Sequence, residues 1–239
     1  MRYERQRMME QIGEEGQKKL GKSMVAVVGC GGLGSPVLTY LACAGIGKLV
    51  IIDFDEVSET NLNRQFLYGI KDVGRPKVIC AKERLLDMND EIEIVGFHEK
   101  LTEENMGKII DTADVVIDCV DNFETRMLLG RECLRRNIPL VEAGVQGFYG
   151  WIMSIGGESA CLECIGFENM KMKRQGPIIG TTAGVIGTLQ ANECIKIIRG
   201  MEETLFGKML QYDGISGSID RIELQKNDSC NAHQESAKG

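Results

Sequence analysis

The chain has 239 residues and a formal net charge of −7, with 28 lysines and arginines against 35 acidic residues. This charge disfavours non-specific binding to nucleic acid, and no stretch approaches the ~20 consecutive apolar residues of a membrane-spanning helix. We therefore expect neither nucleic acid nor a membrane among its partners. The charged N-terminal segment lacks the apolar core of a signal peptide, and nine cysteines without such a signal are typical of a reducing compartment. We expect a cytoplasmic protein.

Helix and strand patterns alternate through the first part of the chain. A polar helix is predicted over residues 3–20, ending at Gly21. Short apolar, β-branched runs then predict five buried strands, at 24–29, 48–53, 92–97, 114–118 and 139–143. The stretches between them predict helices at 35–44, 76–88, from Thr102 onward, and at 122–136. Strands that alternate with helices indicate a doubly wound, Rossmann-like parallel sheet.

The pattern changes after Gly147. Residues 149–155 and 207–224 are predicted to form antiparallel strands, with a helix over about 182–198 between them. The predicted fold class is α/β, a doubly wound and mostly parallel sheet extended by antiparallel strands in the C-terminal part. We expect one domain over residues 1–239. Its expected parts are an N-terminal helix (1–22), a nucleotide-binding part (23–147), an antiparallel extension (148–225) with a crossover loop (166–180), and a polar tail (226–239) that is mobile unless another part of the protein holds it.

A glycine-rich turn follows the first predicted strand. Gly29, Gly31 and Gly34 satisfy the G-x-G-x-x-G spacing between a strand and a helix, and Asp53 ends the next strand about twenty residues later. The glycines allow a tight turn and close approach to phosphate, and the helix N-terminus offers amide groups and a positive dipole end. Asp53 would accept hydrogen bonds from ribose hydroxyls. The motif predicts a nucleotide site but does not distinguish NAD from ATP.

Polar and charged residues cluster after the second predicted strand. Arg64 and Lys77 would bring positive charge to the phosphates, which suits a triphosphate and a pyrophosphate leaving group better than the two bridging phosphates of NAD. Asp121 ends another strand at the same edge of the sheet, where a carboxylate could hold Mg²⁺. The pattern favours ATP with Mg²⁺, and an NAD-dependent oxidoreductase is the weaker alternative.

Five motifs occur together, and their order is RYERQ, GCGGLGS, DFDEVSETNLNRQF, GRPK and DCVDNFETR. They resemble the ThiF/MoeB/HesA family, the prokaryotic relatives of ubiquitin-activating (E1) enzymes, over about residues 2–230. The resemblance implies an adenylyltransferase that uses ATP and Mg²⁺ to activate a carboxylate as an acyl-adenylate, with release of pyrophosphate. It also implies a homodimer. The carboxylate in this family is most often the C-terminal glycine of a ubiquitin-like sulfur-carrier protein.

The resemblance also implies roles for individual residues by matching position. Asp53 would bind the ribose, and Asp121 would lie beside Mg²⁺ and the α-phosphate. Arg5 would reach the γ-phosphate bound by the neighbouring subunit. The implied catalytic residues are Arg64, Lys77, Asp121 and Arg5. The implied nucleotide-binding residues are Gly29, Gly31, Gly32, Gly34, Asp53, Asp55, Asn61, Arg64, Gln65, Lys77, Asp121 and Asn122.

Two ligand pairs indicate a structural zinc site. Cys161 and Cys164 have C-x-x-C spacing, and Cys230 and His233 have C-x-x-H spacing, which suits tetrahedral Zn²⁺. The family carries two C-x-x-C pairs at these places, so His233 stands for the fourth cysteine. The alternative is that zinc has been lost and the cysteines are free thiols. The remaining cysteines in apolar segments are predicted to pack in the core, and these are Cys30, Cys43, Cys80, Cys119, Cys133 and Cys194.

One departure from the family concerns the step after adenylation. Some relatives carry an acceptor cysteine in the crossover loop, but residues 166–184 contain none, and Lys173 stands about where it is expected. We therefore expect the acyl-adenylate to be handed directly to another protein. The loop's basic residues, Lys171, Lys173 and Arg174, either face an acidic partner or lie in solvent. A small-molecule carboxylate is the alternative substrate, as in the HcgE-type proteins of iron-hydrogenase cofactor maturation.

Overall fold

The computed structural model describes residues 2–167 and 176–236. Its centre is one mixed sheet of eight strands. Its strands are β1 Met24–Val28, β2 Lys48–Ile52, β3 Glu93–Phe97, β4 Val115–Asp118, β5 Leu140–Gln146, β6 Tyr149–Ile155, β7 Lys208–Asp213 and β8 Ser218–Glu223. They lie in the order β3-β2-β1-β4-β5-β6-β7-β8. The strands from β3 to β5 pair in parallel, and those from β5 to β8 pair antiparallel. The predicted fold class is confirmed.

Helices cover both faces of this sheet. They are α1 Glu4–Arg7, α2 Gly13–Leu20, α3 Gly34–Ala44, α4 Lys77–Met88, α5 Glu103–Ile110, α6 Phe123–Arg135, α7 Gly180–Arg199 and α8 Asn231–Ser236. Local chemistry sets several of the ends. Pro76 precedes α4, and Thr102 caps α5 through a capping box with Asn105. Gly45 and Gly200 end α3 and α7 in the left-handed conformation.

The alternation of side chains along the strands divides the core into two layers. Val25 and Val27 face one layer, which contains α3, α4 and α7, while Ala26 and Val28 face the other, which contains α5, α6 and α8. All four residues are almost fully buried. Burial on both faces explains the continuous apolar runs of the parallel strands. None of the described helices is long and apolar enough to cross a membrane.

Three details differ from the sequence predictions. The predicted helix 3–20 is two helices, because residues 8–12 turn and Gly13 takes a φ of 60°. Cys43 is exposed rather than buried, since it lies on the outer face of α3 one turn from the exposed Tyr40. The polar tail is held against the body, because α8 packs on α6 and buries Ala232.

The topology places a crevice at the carboxyl ends of three strands. β2 lies on one side of β1 and β4 on the other, so the chain order reverses at β1. Val28, the last residue of β1, is in register with Ile52 on one side and Asp118 on the other. The loops that leave these three strands therefore emerge side by side. Open α/β sheets bind their ligands at this kind of switch point.

Candidate active site

A cleft of about 960 Å³ lies at this switch point, within the size range of ligand sites. It is lined by the turn after β1, the segments after β2 and β4, and the end of β5. Most of the sequence-predicted nucleotide-binding residues meet there, namely Gly29, Gly31, Gly32, Asp53, Asp55, Asn61, Arg64, Gln65, Lys77, Asp121 and Asn122. Among the predicted catalytic and nucleotide-binding residues, Gly34 and Arg5 do not line it.

The glycines of the turn differ in what requires them. Gly29 has a φ of 99°, and a β-carbon there would lie 2.6 Å from the carbonyl oxygen of Cys119. A β-carbon at Gly34 would lie 2.3 Å from the carbonyl oxygen of Gly29, so Gly34 serves the packing of helix on strand. At Gly31 a β-carbon would meet nothing closer than Nε2 of Gln65, at 3.6 Å. The absence of a side chain at Gly31 keeps the cleft open for a ligand.

Asp53 is fixed by two backbone groups. Its Oδ2 accepts a hydrogen bond from the Cys30 amide at 2.7 Å, and its Oδ1 accepts one from the Asp55 amide at 2.8 Å. Burial raises the pKa of Asp53, while the nearby Lys77 ammonium and these two amides oppose the rise. Each carboxylate oxygen has a second lone pair. Asp53 can therefore hold its place in the turn and still accept bonds from a pair of hydroxyls in the cleft.

The two predicted phosphate-binding cations are held in place by neighbours. Lys77 is buried, and its ammonium donates to Oδ2 of Asp55 at 2.8 Å. Arg64 donates through Nη1 to the carbonyl oxygen of Thr60 and to Oδ1 of Asn63, at 3.0 and 2.9 Å. One guanidinium nitrogen thus carries both bonds. The arrangement orients two positive charges along one wall of the cleft.

Two amide side chains complete this wall. Asn61 accepts a bond from the Ser58 amide at 3.1 Å and so caps the short helical turn Glu59–Asn61. Gln65 is almost fully buried, and its Oε1 has no hydrogen-bond partner among the described residues. A buried polar atom of this kind normally has a partner. A donor group on a bound ligand would satisfy Oε1 of Gln65.

The loop after β4 brings an acid to the opposite wall. Asp121 is exposed and lines the cleft. The next residue, Asn122, accepts a hydrogen bond from the Thr125 amide at 2.9 Å and caps α6. The side-chain oxygen Oδ1 of Asn122 is therefore engaged in the cap, and Asp121 is the side chain of this pair that is placed to act on a ligand.

Four functional candidates were missed by the sequence predictions. Tyr68 is buried and donates to the carbonyl oxygen of Cys30 at 2.7 Å, which supports the glycine turn. Arg126, Asp118 and Glu142 are buried charged groups that meet beneath the cleft. The signals were a charged residue inside the apolar run PLVEA and an acid at the end of DVVID. Charged side chains in buried strands are almost always paired.

Glu142 and Asp118 share one arginine. The Arg126 Nε lies 2.8 Å from Asp118 Oδ2 and 3.5 Å from Glu142 Oε2, and neither acid is exposed. Burial raises the pKa of Glu142 well above its usual value, with a further rise from Asp118, while Arg126 acts in the opposite direction. Burial therefore favours the protonated form of Glu142 next to the ion pair of Arg126 and Asp118.

The candidate metal ligands form a compact cluster. The ligand atoms of Cys161, Cys164, Cys230 and His233 all lie within 4.8 Å of one another. The Sγ atom of Cys161 is 3.6 Å from that of Cys164 and 3.5 Å from that of Cys230. Zn–S bonds of about 2.3 Å in a tetrahedron place sulfurs about 3.8 Å apart. Nε2 of His233 is buried without a hydrogen-bond partner among the described residues, as expected of an atom that serves as a metal ligand. The residues fit a Cys₃His zinc site.

Comparison with known proteins identifies the family. A family model described as "ThiF family" matches residues 3–232. The chain belongs to the ThiF family. It is 38% identical over 235 residues to the sulfur carrier protein ThiS adenylyltransferase of Escherichia coli (strain K12), covering 96% of this chain and 93% of that one. It is 35% identical over 241 residues to the sulfur carrier protein adenylyltransferase of Thermus thermophilus, covering 96% and 89%. The family resemblance inferred from the five motifs is confirmed.

A solved structure of the same fold also matches. The crystal structure of E. coli MccB with AMPCPP and MccA superimposes with a TM-score of 0.84 at 26% identity. The match covers 97% of this chain and 73% of that one. The fold of this ThiF-family chain is thus shared with a relative that was crystallised with a nucleotide.

The RYERQ segment of the ThiF-family chain is anchored far from its own cleft. The Tyr3 hydroxyl accepts a bond from Nδ2 of Asn89 at 2.8 Å, and Gln6 donates to the carbonyl oxygen of Ala44 at 3.0 Å. Ala44 and Asn89 lie just before β2 and β3, at the amino ends of the strands. The cleft lies at the carboxyl ends, and a five-residue strand spans about 16 Å. Arg5 is exposed on this opposite side of the sheet.

Part of the crossover loop lies outside the described residues. Residues 168–175 are the part that is not described, and they include the basic residues Lys171, Lys173 and Arg174. The described segments on either side approach the cleft. Phe167 stacks on Phe123 with ring centroids 5.8 Å apart, and Ile178 lines the cleft and bridges to Gly147.

Proposed function

We propose that this ThiF-family protein adenylates the C-terminal carboxylate of a ubiquitin-like sulfur-carrier protein, using ATP and Mg²⁺. The observation that carries this proposal is the single cleft in which the glycine turn, Asp53, the cations Arg64 and Lys77, and Asp121 meet. Two relatives that match nearly the full chain, from E. coli and T. thermophilus, are both sulfur carrier adenylyltransferases by name. The prediction of an E1-like adenylyltransferase agrees with both.

The reaction requires little acid–base catalysis by the protein. An α-carboxyl group, with a pKa of roughly 3.5, is already ionised at neutral pH and needs no general base. The chain has two histidines, and neither lines the cleft: His98 bonds to the carbonyl oxygen of Phe54, and His233 belongs to the cysteine cluster. The cleft must instead align the carboxylate with the α-phosphate and stabilise departing charge.

The lining residues divide this work. Asp53 binds the ribose hydroxyls through its free lone pairs. The open space at Gly31 admits the phosphates against the helix N-terminus. Arg64 and Lys77 bind the phosphates, with Asn61 and Gln65 assisting, and stabilise the pyrophosphate as the bond between the α-phosphorus and its bridging oxygen breaks. The substrate carboxylate oxygen forms the new bond to that phosphorus.

Asp121 is the residue that is placed to bind Mg²⁺. Its exposed carboxylate lies in the cleft opposite the cations, and carboxylate oxygen is a ligand that Mg²⁺ prefers. Asp121 would hold the ion, with Asp55 as a second acid on the cleft wall. When bound, Mg²⁺ supplies neutralisation of phosphate charge.

The active unit that we infer is a homodimer. Arg5 lies at the edge of the sheet opposite its own cleft, so it cannot reach a nucleotide there. The resemblance assigns the corresponding arginine to the γ-phosphate of the neighbouring subunit. Anchoring of the segment by Tyr3 and Gln6 gives it a fixed orientation from which Arg5 can enter a partner's cleft.

The metal cluster and the crossover loop complete the proposal. Zn²⁺ held by the three cysteines and His233 would join α8 to the loop at 161–164 and so fix the C-terminal end of the chain.

Residues 166–184 contain no cysteine, so the acyl-adenylate passes directly to a nucleophile on another protein rather than to a cysteine of this loop.

The test is ATP–pyrophosphate exchange with three classes of acceptor. One is a sulfur carrier ending in Gly-Gly, the second is the same carrier with an amidated C-terminus, and the third is a pool of small carboxylates. We expect exchange with the free carrier alone, and its loss in the Asp121→Ala variant. Exchange only with the small acids would replace the carrier by a small-molecule substrate. Exchange with none would overturn the proposal.

A further inference from the structure

The carboxylate of Asp121 has no side-chain support of its own. Within residues 2–167 and 176–236 it takes part in no hydrogen bond or ion pair, and it is exposed to the cleft. A carboxylate that must hold a metal ion beside the α-phosphate needs a defined position. Its position is therefore set by the backbone that carries it, and the residue immediately before it is Val120.

Both polar backbone groups of Val120 are clamped. Its amide donates to Oδ1 of Asp118 at 2.7 Å, and its carbonyl oxygen accepts from Nη2 of Arg126 at 2.9 Å. The ring is closed by Nε of Arg126, which donates to Oδ2 of Asp118 at 2.8 Å. Arg126 and Asp118 thus enclose the peptide groups of Val120 that lead into Asp121. We call this ring of three hydrogen bonds the clamp.

The arginine itself cannot move freely. Only 4% of Arg126 is exposed, although it lines the cleft. Its guanidinium carbon lies 5.6 Å from the ring centre of Trp151 and 5.8 Å from that of Phe167. Stacking on aromatic rings and a planar set of donors are properties of arginine that lysine does not reproduce.

We propose that Arg126 is a positioning residue for adenylation, which acts by clamping Val120 and so holding Asp121 in place. This inference rests on the proposed function, because it assigns Asp121 to the reaction. Asp118 is the second half of the clamp. Glu142 contacts the same guanidinium at 3.5 Å, at the edge of this clamp.

The experiment compares matched variants in the full-length protein. Arg126→Lys keeps the charge but lacks the two separate, coplanar nitrogens with which the arginine reaches Asp118 and the Val120 carbonyl. Leu134→Ala, in a buried position near the far end of α6, is the control for lost stability alone.

We expect Arg126→Lys to lower kcat for ATP–pyrophosphate exchange by about 10- to 100-fold, as expected for a misplaced reacting group. The KM for ATP should change by less than about threefold, because ribose and phosphate contacts remain. The Mg²⁺ concentration for half-maximal exchange should rise. Leu134→Ala should keep the kcat of the folded protein and its Mg²⁺ dependence.

Hydrogen–deuterium exchange of the peptide covering residues 119–122 provides a measurement that needs no substrate. We expect faster exchange there in Arg126→Lys than in the wild type or in Leu134→Ala. Wild-type kcat and wild-type protection in Arg126→Lys would overturn the inference, as would an equal loss of kcat in Leu134→Ala. If the wild type catalyses no exchange with any carboxylate, the proposed function fails, and the protection of residues 119–122 alone then decides whether the clamp exists.

Discussion

The ammonium group of Lys77 lies 2.8 Å from a carboxylate oxygen of Asp55, in a position where only 5% of the lysine is exposed. Burying an ammonium group is costly unless an acid is next to it, and Asp55 is that acid here. Asp55 is itself half-exposed at the cleft. The pair holds a positive charge at the phosphate wall before any nucleotide arrives.

We expect Lys77→Gln to lower kcat/KM for ATP–pyrophosphate exchange by about 100- to 1000-fold, the usual cost of removing one group that stabilises transition-state charge. Lys71→Gln is the matched control, because Lys71 is exposed and does not line the cleft. It should behave like the wild type. Equal activity in the two variants would contradict the role given to Lys77.

A mixing experiment tests the inference that Arg5 acts on the partner's site. Arg5→Ala and Asp121→Ala should each be inactive alone. A mixed dimer has one cleft with its own intact Asp121 and an intact Arg5 from the other chain. Random reassociation of equal amounts should restore about a quarter of wild-type exchange, since half of the dimers are mixed and each has one complete site.

The control for this rescue is Arg5→Ala mixed with the double variant Arg5→Ala/Asp121→Ala. No dimer in that mixture has a complete site, so it should stay inactive. If the first mixture also stays inactive although mixed dimers are shown to form, Arg5 does not act in trans.

Most of the cleft could be predicted because its residues lie in motifs at strand ends. The parallel strands β1, β2 and β4, of five, five and four residues, leave Gly29, Asp53 and Asp121 at one edge of the sheet. The cluster of Cys161, Cys164, Cys230 and His233 was predicted in the same way, from two pairs with fixed spacing. Local spacing is visible in a single sequence, and parallel topology then brings the loops together.

The clamp around Val120 could not be predicted in this way. It needs Arg126 to reach back eight residues to Asp118, and it needs aromatic rings from β6 and from the loop at 161–167. Which face of a helix is covered also depends on distant packing, and this is why Cys43 was wrongly placed in the core. The break before Gly13 follows from one positive φ angle that no periodic pattern reveals.

The zinc proposal predicts about one zinc ion per chain in protein purified without chelator. His233→Ala should lower the zinc content and the melting temperature, because it removes the fourth ligand and frees α8. His233→Cys should retain zinc, since it restores the four thiolates that the family resemblance implies. His98→Ala is the control histidine, and its zinc content should not change. Elemental analysis that finds no zinc in the wild type would remove the Cys₃His site.

Glu142 predicts a specific pH dependence of stability. Its pKa is raised in the folded protein, mainly by burial, so the folded state binds this proton more tightly than the unfolded state does. The corresponding stability is fully present below the unfolded glutamate pKa of about 4.3. It is lost progressively as the pH rises from there through the folded pKa.

Glu142→Gln replaces the acid by a neutral amide of similar shape and removes this titration. The variant should therefore gain in stability relative to the wild type as the pH is raised from 5 to 9, even if the amide costs some stability at the acid end. The measurement is the difference in the free energy of unfolding between variant and wild type at each pH, because the other titrating groups are common to both and largely cancel. A difference that stays constant over this range, or that moves in favour of the wild type as the pH rises, would show that Glu142 is ionised in the folded protein. Arg126 would then have to balance the negative charges of both Glu142 and Asp118.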